Sequence, residues 1–144
     1  GPAPGSRPLV LILVTIVISA ARRPDRHAAL SAWLAGQPEE SLFLSVISVG
    51  EIARGIRLQE RKTPAFAKAL AAWLFRTQTL FADRLLPFHA EDARLWGELS
   101  ADLGHPGADL MIAASALTRD AVVVTGNTAD FAPTGVRLLD PFNA

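Results

Sequence analysis

Cysteine is absent from this chain of 144 residues, which excludes disulfide bonds, thiolate metal sites and cysteine nucleophiles. That absence fits a reducing compartment such as the cytoplasm. The chain also lacks net charge, because 14 basic and 14 acidic residues balance. Any binding to nucleic acid therefore depends on a local basic patch rather than on the charge of the whole chain.

Several familiar catalytic patterns are missing as well. The three histidines do not have the spacing of zinc ligands. The sequence contains neither a G-x-S-x-G nucleophile turn nor the glycine-lysine pattern of a phosphate-binding loop, which argues against serine hydrolases and nucleoside triphosphatases. His105 precedes Asp109 by four residues. Either it faces a site near Asp109 or it is an exposed loop residue.

No apolar run is long enough for a membrane-spanning helix, which takes about 20 residues. Residues 9–21 come nearest, and because Arg7 precedes them and small residues follow, a secretory signal is one interpretation. The alternative, which we favour, is a buried strand rich in Leu, Ile and Val. Residues 1–8, rich in Pro and Gly, are interpreted as a tag or flexible arm. We therefore expect one cytoplasmic domain over residues 9–144, without membrane association.

Strand patterns alternate with helix patterns along the chain, and half of the residues are hydrophobic. This predicts an α/β domain with a central, mainly parallel sheet of about five strands flanked by helices. The predicted strands are residues 9–16, 42–45, 84–88, 121–125 and 136–139. The predicted helices are residues 25–35, a helix that begins at Ser48, and residues 64–79, 90–103 and 109–118. Thr63 is the predicted N-cap of the helix over residues 64–79, and residues 126–134 are predicted to form a loop.

Four polar residues follow these strands, at the sheet edge where such folds bind ligands. They are Glu51, Asp109, Asn127 and Asp130. Clustered carboxylates suit Mg²⁺ or Mn²⁺, which can activate water for phosphate hydrolysis. Each residue also has a purely structural interpretation. Ser48 and Glu51 match a capping box, Asp109 is a favoured N-cap, and Asn and Asp are common in turns.

Three segments resemble conserved segments of PIN domains of the VapC and FitB-like branch: LFLSVISVGEIARGI, DLMIAASAL, and VVVTGNTADF with VRLLDP. The resemblance covers residues 9–142 with the family's order and spacing. It implies a PIN-like fold and a Mg²⁺- or Mn²⁺-dependent ribonuclease toxin that acts on RNA. It also implies inhibition by a cognate VapB-type antitoxin and a homodimer.

The resemblance also implies roles for the polar residues. Glu51 and Asp109 match two of the family's metal-site carboxylates. Asn127 matches a position that is Asp in some members and Asn in others. Asp130 matches a nearby acid that completes or supports the site. We therefore expect catalytic roles for all four residues and metal ligation by the three acids.

The first strand departs from the family pattern, which ends it with an Asp-Thr-Asn type sequence. Here the ungapped alignment gives Val14, Thr15 and Ile16. Valine has no oxygen donor, so the site would hold Mg²⁺ weakly, and the remaining carboxylates would repel one another, which raises a pKa. Two hypotheses follow: an impaired metal-dependent endoribonuclease, or a catalytically inactive PIN-like module that binds RNA or an antitoxin.

Basic and aromatic residues allow further predictions. One group of arginines shares a face of the Glu51 helix, and another group follows the first strand. Each group could contact RNA phosphates or an acidic antitoxin segment, or could simply be exposed to solvent. For the three tryptophans, all on predicted helices, packing in the core or a dimer is favoured over base stacking. The residues concerned are Arg54, Arg57 and Arg61; Arg22, Arg23 and Arg26; and Trp33, Trp73 and Trp96.

Overall fold

The centre of the fold is a five-stranded sheet in the order β3-β2-β1-β4-β5, in which every neighbouring pair is parallel. The computed structural model describes residues 9–143, so the predicted tag or arm at residues 1–8 lies outside the described residues. The strands are β1 Leu11–Leu13, β2 Leu42–Ser45, β3 Leu85–Leu86, β4 Val122–Val124 and β5 Arg137–Leu139. The predicted parallel sheet of about five strands is confirmed.

Helices connect and flank the strands, because parallel neighbours require crossover connections. The helices are α1 Thr15–Ala21, α2 Ala28–Ala35, α3 Val46–Glu60, α4 Pro64–Leu80, α5 Ala90–Leu103, α6 Ala108–Thr118 and α7 Thr128–Phe131. Short 3-10 segments occupy Glu39–Ser41, Ala82–Arg84 and Ala132–Thr134. Within the part of the chain described, no helix has both the length and the apolar character to cross a membrane.

β1 forms the centre of the hydrophobic core. It pairs with β2 on one side and with β4 on the other, and all three of its residues are buried. A strand enclosed on both faces requires a continuous apolar run, and burying each such side chain stabilises the fold by about 1.5–3 kcal/mol. Leu11–Leu13 therefore behave as the buried-strand interpretation of this apolar run requires.

The prediction that the first strand extends to residue 16 is wrong, because α1 begins at Thr15. Val14 has an extended backbone, and its carbonyl accepts hydrogen bonds from the backbone N–H groups of Val17 (3.0 Å) and Ile18 (3.1 Å). The β-branched residues after Leu13 favour a strand locally, but the tertiary fold overrides that preference. The consequence is that Thr15 and the residue after it lie at the carboxyl edge of the sheet.

Other element boundaries show where local patterns succeed and fail. β2 and α5 have the predicted bounds, and α5 ends at Gly104, whose φ of 81° suits glycine. The predicted loop over residues 126–134 contains α7 and a 3-10 turn, and the predicted third strand shrinks to Leu85–Leu86. The helix predicted from residue 25 begins at Ala28.

A buried ion pair joins the start of α5 to the end of α6. Asp92 is 0% exposed, and its carboxylate accepts hydrogen bonds from the backbone N–H of His89 (2.7 Å), the hydroxyl of Thr118 (2.5 Å) and the guanidinium of Arg119 (3.0 Å). Burial by itself would raise the pKa of Asp92, but the hydrogen bonds from Arg119, Thr118 and His89 outweigh it, so the pKa is lowered. This carboxylate is fully partnered and structural.

Candidate active site

Glu51 is held in place by a chain of hydroxyl groups at the carboxyl edge of the sheet. The Oγ1 atom of Thr15 lies 2.6 Å from Oε1 of Glu51 and 3.0 Å from Oγ of Ser48. A carboxylate accepts only, and a hydroxyl has one hydrogen to donate. Thr15 therefore donates to Glu51 and accepts from Ser48. Thr15 of α1, itself bonded to Ser48 of α3, therefore fixes the orientation of this carboxylate.

The predicted capping box at the start of α3 is wrong. The N-cap is Ser45, whose Oγ accepts a hydrogen bond from the backbone N–H of Ile47 at 3.0 Å. Ser48 is the third residue of α3, in its first turn, and is fully buried. Glu51 is consequently not occupied with capping, and its carboxylate bonds to Thr15 instead.

The N-cap interpretation of Asp109 is also wrong, because Gly107 occupies that position and Ala108 is the first residue of α6. Asp109 is half-buried in the first turn. Burial raises the pKa of Asp109, and the negative charges of Glu51 and Asp130 raise it further, while His105 opposes them. The structure therefore places Glu51, Asp130 and His105 close enough to Asp109 to influence its charge.

Asn127 and Asp130 belong to the segment after β4. Asn127 is the N-cap residue of α7 but makes no side-chain capping bond, and its backbone N–H donates to Thr125 Oγ1 at 3.0 Å. Asp130 lies in the first turn of α7, and both side chains are exposed. Among residues 9–143, none of the three site acids forms an ion pair with a basic side chain.

Two positions of the Asp-Thr-Asn pattern expected from the family resemblance carry apolar side chains, and these differ in their exposure to solvent. Val14 is 4% exposed and belongs to the core, whereas Ile16 is 42% exposed. In the described part of the chain, no group of three or more Asp, Glu, His or Cys side chains is arranged to hold a metal ion. The donor set therefore fits Mg²⁺ or Mn²⁺ in chemistry, since hard cations prefer carboxylates, but it falls short in arrangement.

A groove that lies next to Glu51 was not predicted from the sequence. It has a volume of about 290 Å³ and lies between α1, α3 and α4, lined by Thr15, Ser19, Arg22, Glu51, Ile52, Gly55, Ile56, Phe66, Leu70 and Trp73. Trp73 and Trp33 pack against the core, as predicted, but Trp73 also lines this groove. The available sequence signal was the helical spacing of Thr15, Ser19 and Arg22. It became visible only once residues 15–21 were known to be a helix.

The predicted face of three arginines on α3 is exposed. Arg57 pairs with Glu60 at 3.0 Å, an interaction between two solvent-accessible side chains. Arg54 and Arg61 are exposed too. This arrangement agrees with a solvated helix face, and contact with RNA stays a prediction.

Comparison with known proteins identifies the family. The family model described as PIN domain matches residues 12–135. The chain belongs to the PIN-domain family. Its sequence is 31% identical over 142 residues to the plasmid stability protein StbB of Pseudomonas syringae pv. tomato, covering 94% of this chain and 100% of StbB. It is 29% identical over 140 residues to the VapC ribonuclease Y4jK of Sinorhizobium fredii, covering 92% and 98% of the two chains.

The fold of this PIN domain agrees with the crystal structure of FitAcB from Neisseria gonorrhoeae. The TM-score is 0.81 at 29% sequence identity, over 94% of this chain and 100% of the other. The similarity runs the length of the domain and places the chain in the VapC and FitB-like branch. The predicted PIN-like fold is confirmed.

Proposed function

We propose that this PIN domain is the toxin component of a type II toxin–antitoxin system and an endoribonuclease weakened by the loss of one site acid. The observation that carries the proposal is that Glu51 and Asp130 both act electrostatically on Asp109 in a PIN domain, while none of these acids forms an ion pair in the described residues. Similarity to a protein named VapC ribonuclease supports the reaction class.

The proposed cofactor is Mg²⁺ or Mn²⁺. Glu51, Asp109 and Asp130 are the proposed ligands, although the described structure does not hold them in a metal-binding arrangement, and Asn127 would assist directly or through water. When bound, such a cation supplies an activated water and stabilises the negative charge that develops on a phosphate during hydrolysis. Burial is the main cause of the raised pKa of Asp109, and the charges of Glu51 and Asp130 add to it; a bound cation would offset both effects.

The chain's own residues prepare this site. Thr15 donates to Glu51 and receives a hydrogen bond from Ser48, which keeps one oxygen of Glu51 directed toward α1. Val14, which would be the remaining ligand position, presents only buried methyl groups. RNA would reach the acids from the open side of this edge.

The proposed partners are a VapB-type antitoxin and a second copy of the chain. Similarity to the FitAcB structure supports the first. For the second, α4 exposes large apolar side chains, with Phe75 72% and Leu80 61% accessible, and covering such side chains is a common reason for self-association. A mass measurement in solution tests the homodimer.

A second candidate function is a binding module without catalytic activity. Val14 favours it, because this residue is part of the core and contributes no ligand. Under this alternative the acids would bind a cationic partner group rather than a catalytic metal.

The double substitution Val14→Asp with Ile16→Asn separates the two functions. Asp suits the N-cap of α1, a position that Val14 cannot cap with its side chain, so capping offsets part of the cost of placing a charge there. We expect Mn²⁺-dependent cleavage of RNA by the double variant at a rate well above that of the unmodified chain.

Two controls sharpen this experiment. Adding Glu51→Gln or Asp109→Asn to the double variant should abolish the gained activity while circular dichroism shows an unchanged fold. If the double variant folds but neither binds Mn²⁺ nor cleaves RNA, the nuclease assignment of these acids is wrong and the binding-module alternative stands.

A further inference from the structure

The groove beside Glu51 is built from one regularly spaced face of each of three helices. α1 contributes Thr15, Ser19 and Arg22, α3 contributes Glu51, Ile52, Gly55 and Ile56, and α4 contributes Phe66, Leu70 and Trp73. Spacings of three and four residues place side chains on one face of a helix. The groove lining is therefore mostly apolar, with one acid, Glu51, and one guanidinium, Arg22, among its residues.

An arginine lies over an aromatic ring at this margin. The guanidinium carbon of Arg22 is 5.5 Å from the centre of the Phe66 ring. Phe66 is nevertheless 38% exposed, so part of its surface stays open to a ligand. Aromatic rings and guanidinium planes are the surfaces on which proteins stack unpaired nucleobases, and arginine also binds phosphate.

The helices around the groove carry a charge that the chain as a whole does not have. Residues 46–80 contain six basic and two acidic residues, although the formal net charge of the chain is zero. Most of these basic residues are exposed. None of the six lines the groove itself, where Arg22 is the basic residue. Positive charge on the helices that also form a stacking surface complements a single-stranded nucleic acid, in which anionic phosphates alternate with flat bases.

We propose that this groove is a nucleobase subsite that holds one unpaired base of an RNA strand beside the phosphate presented to Glu51. Phe66 stacks on the base, Arg22 contacts the adjoining phosphate, and Ile52, Ile56 and Leu70 form the apolar floor. This assignment rests on the proposed function, because the strand must pass the acid edge for the groove to receive its base.

Gly55 allows the groove to be filled without disturbing the fold. A Cβ atom added at Gly55 would have no heavy atom within 4 Å, and the same holds for Gly97 in α5, which is not among the groove residues. Leucine is a better helix former than glycine at both positions. Gly55→Leu therefore blocks the groove, and Gly97→Leu is its matched control.

The test measures binding rather than cleavage. A fluorescently labelled single-stranded RNA oligonucleotide is titrated with the full chain in the presence of EDTA, and anisotropy reports the dissociation constant. Because stacking on an aromatic residue contributes roughly 1–3 kcal/mol per base, Phe66→Ala should weaken binding about tenfold. Gly55→Leu should weaken it similarly, Phe66→Trp should preserve it, and Gly97→Leu should change it by less than twofold. An oligonucleotide with abasic sites should bind the unmodified chain as weakly as intact RNA binds Phe66→Ala.

The other outcomes separate this proposal from the one on which it rests. If the unmodified chain does not bind RNA at all, both fail. If it binds RNA and neither Gly55→Leu nor Phe66→Ala changes the affinity, the subsite is refuted while the proposed function survives. If Gly55→Leu impairs self-association or the binding of a polyglutamate peptide but leaves RNA affinity intact, the occupant is a second copy or an acidic protein segment and the subsite is refuted.

Discussion

Two carboxylates of this protein, Asp92 and Asp109, illustrate opposite uses of the same side chain. Asp92 is fully buried and accepts hydrogen bonds from Arg119, Thr118 and His89, which lower its pKa. Asp109 is only half-buried, and its pKa is raised, first by burial and then by neighbouring acids. Burial opposes ionisation at both, so the difference comes from the partners that the fold provides.

The partners of these two carboxylates distinguish a side chain that stabilises the fold from one that is open to a ligand. A carboxylate that has its own guanidinium and hydroxyl donors holds two helices together and is not available to a ligand. A carboxylate whose nearest charged neighbours include two other acids destabilises the isolated domain and attracts an external cation. Sites of this kind are where proteins retain unfavourable electrostatics. We propose that Asp109 belongs to that class.

The largest effect is expected from removing the partnered carboxylate. Asp92→Ala would leave Arg119 without its counter-ion at the junction of α5 and α6, and breaking a buried ion pair costs about 3–5 kcal/mol. Urea denaturation should show a lower midpoint with an unchanged slope. Glu98→Ala, an exposed position on the same helix, is the control and should change stability by less than about 0.5 kcal/mol.

The pH dependence provides an independent check on Asp92. Its pKa in the folded state lies below the ordinary value of 3.8 for an aspartate, so its contribution is fully present above that value and is lost as the pH falls through the lower, folded-state pKa. The unmodified chain and Asp92→Ala should therefore converge in stability at strongly acidic pH. A constant difference down to the lowest pH at which the protein folds would contradict the assigned charge.

Much of the fold follows from local patterns. The apolar segment LFLS gives β2, and α5 ends at Gly104 because a left-handed residue there suits glycine. The end of β1 could not be predicted, since Val14 and the β-branched residues after it favour an extended chain. The fold nevertheless begins α1 at Thr15, and no local property of the segment VTIVIS indicates this.

The candidate site could also be predicted only in part from the sequence. Glu51, Asp109 and Asp130 were identified because the carboxyl ends of parallel strands meet at one edge. In the structure Glu51 and Asp130 both act electrostatically on Asp109, while the roles of these acids stay predictions. The bond between Thr15 and Ser48 joins residues 33 positions apart, and its existence depends on the unexpected start of α1. Long-range pairs of polar side chains have no periodicity in sequence by which they could be found.

An intermediate effect is expected from the hydroxyl that orients Glu51. Thr15→Val preserves the shape of the side chain but removes its donor, and hydrogen bonds to charged groups contribute about 1.5–3 kcal/mol. In the Val14→Asp, Ile16→Asn background, Thr15→Val should reduce the cleavage rate, whereas Thr15→Ser, which retains the hydroxyl, should restore most of it. Equal activity of the valine and serine variants would show that Thr15 does not position Glu51.

The smallest expected change in stability comes from substituting Asp109, and it should be a gain, whereas substituting Asp92 should cause a loss. Because the pKa of Asp109 is raised above the ordinary value of 3.8 for an aspartate, the folded state binds the proton more tightly than the unfolded state, and the ionised side chain lowers stability at neutral pH. Asp109→Asn should therefore stabilise the domain at pH 7, by less than about 1 kcal/mol since solvent screens a half-exposed group. The gain should shrink as the pH falls through the raised pKa, and added Mn²⁺ should stabilise the unmodified chain more than Asp109→Asn. Thermal unfolding across this pH range measures both effects, and a loss of stability at pH 7 would mean that Asp109, like Asp92, has a favourable partner in the fold.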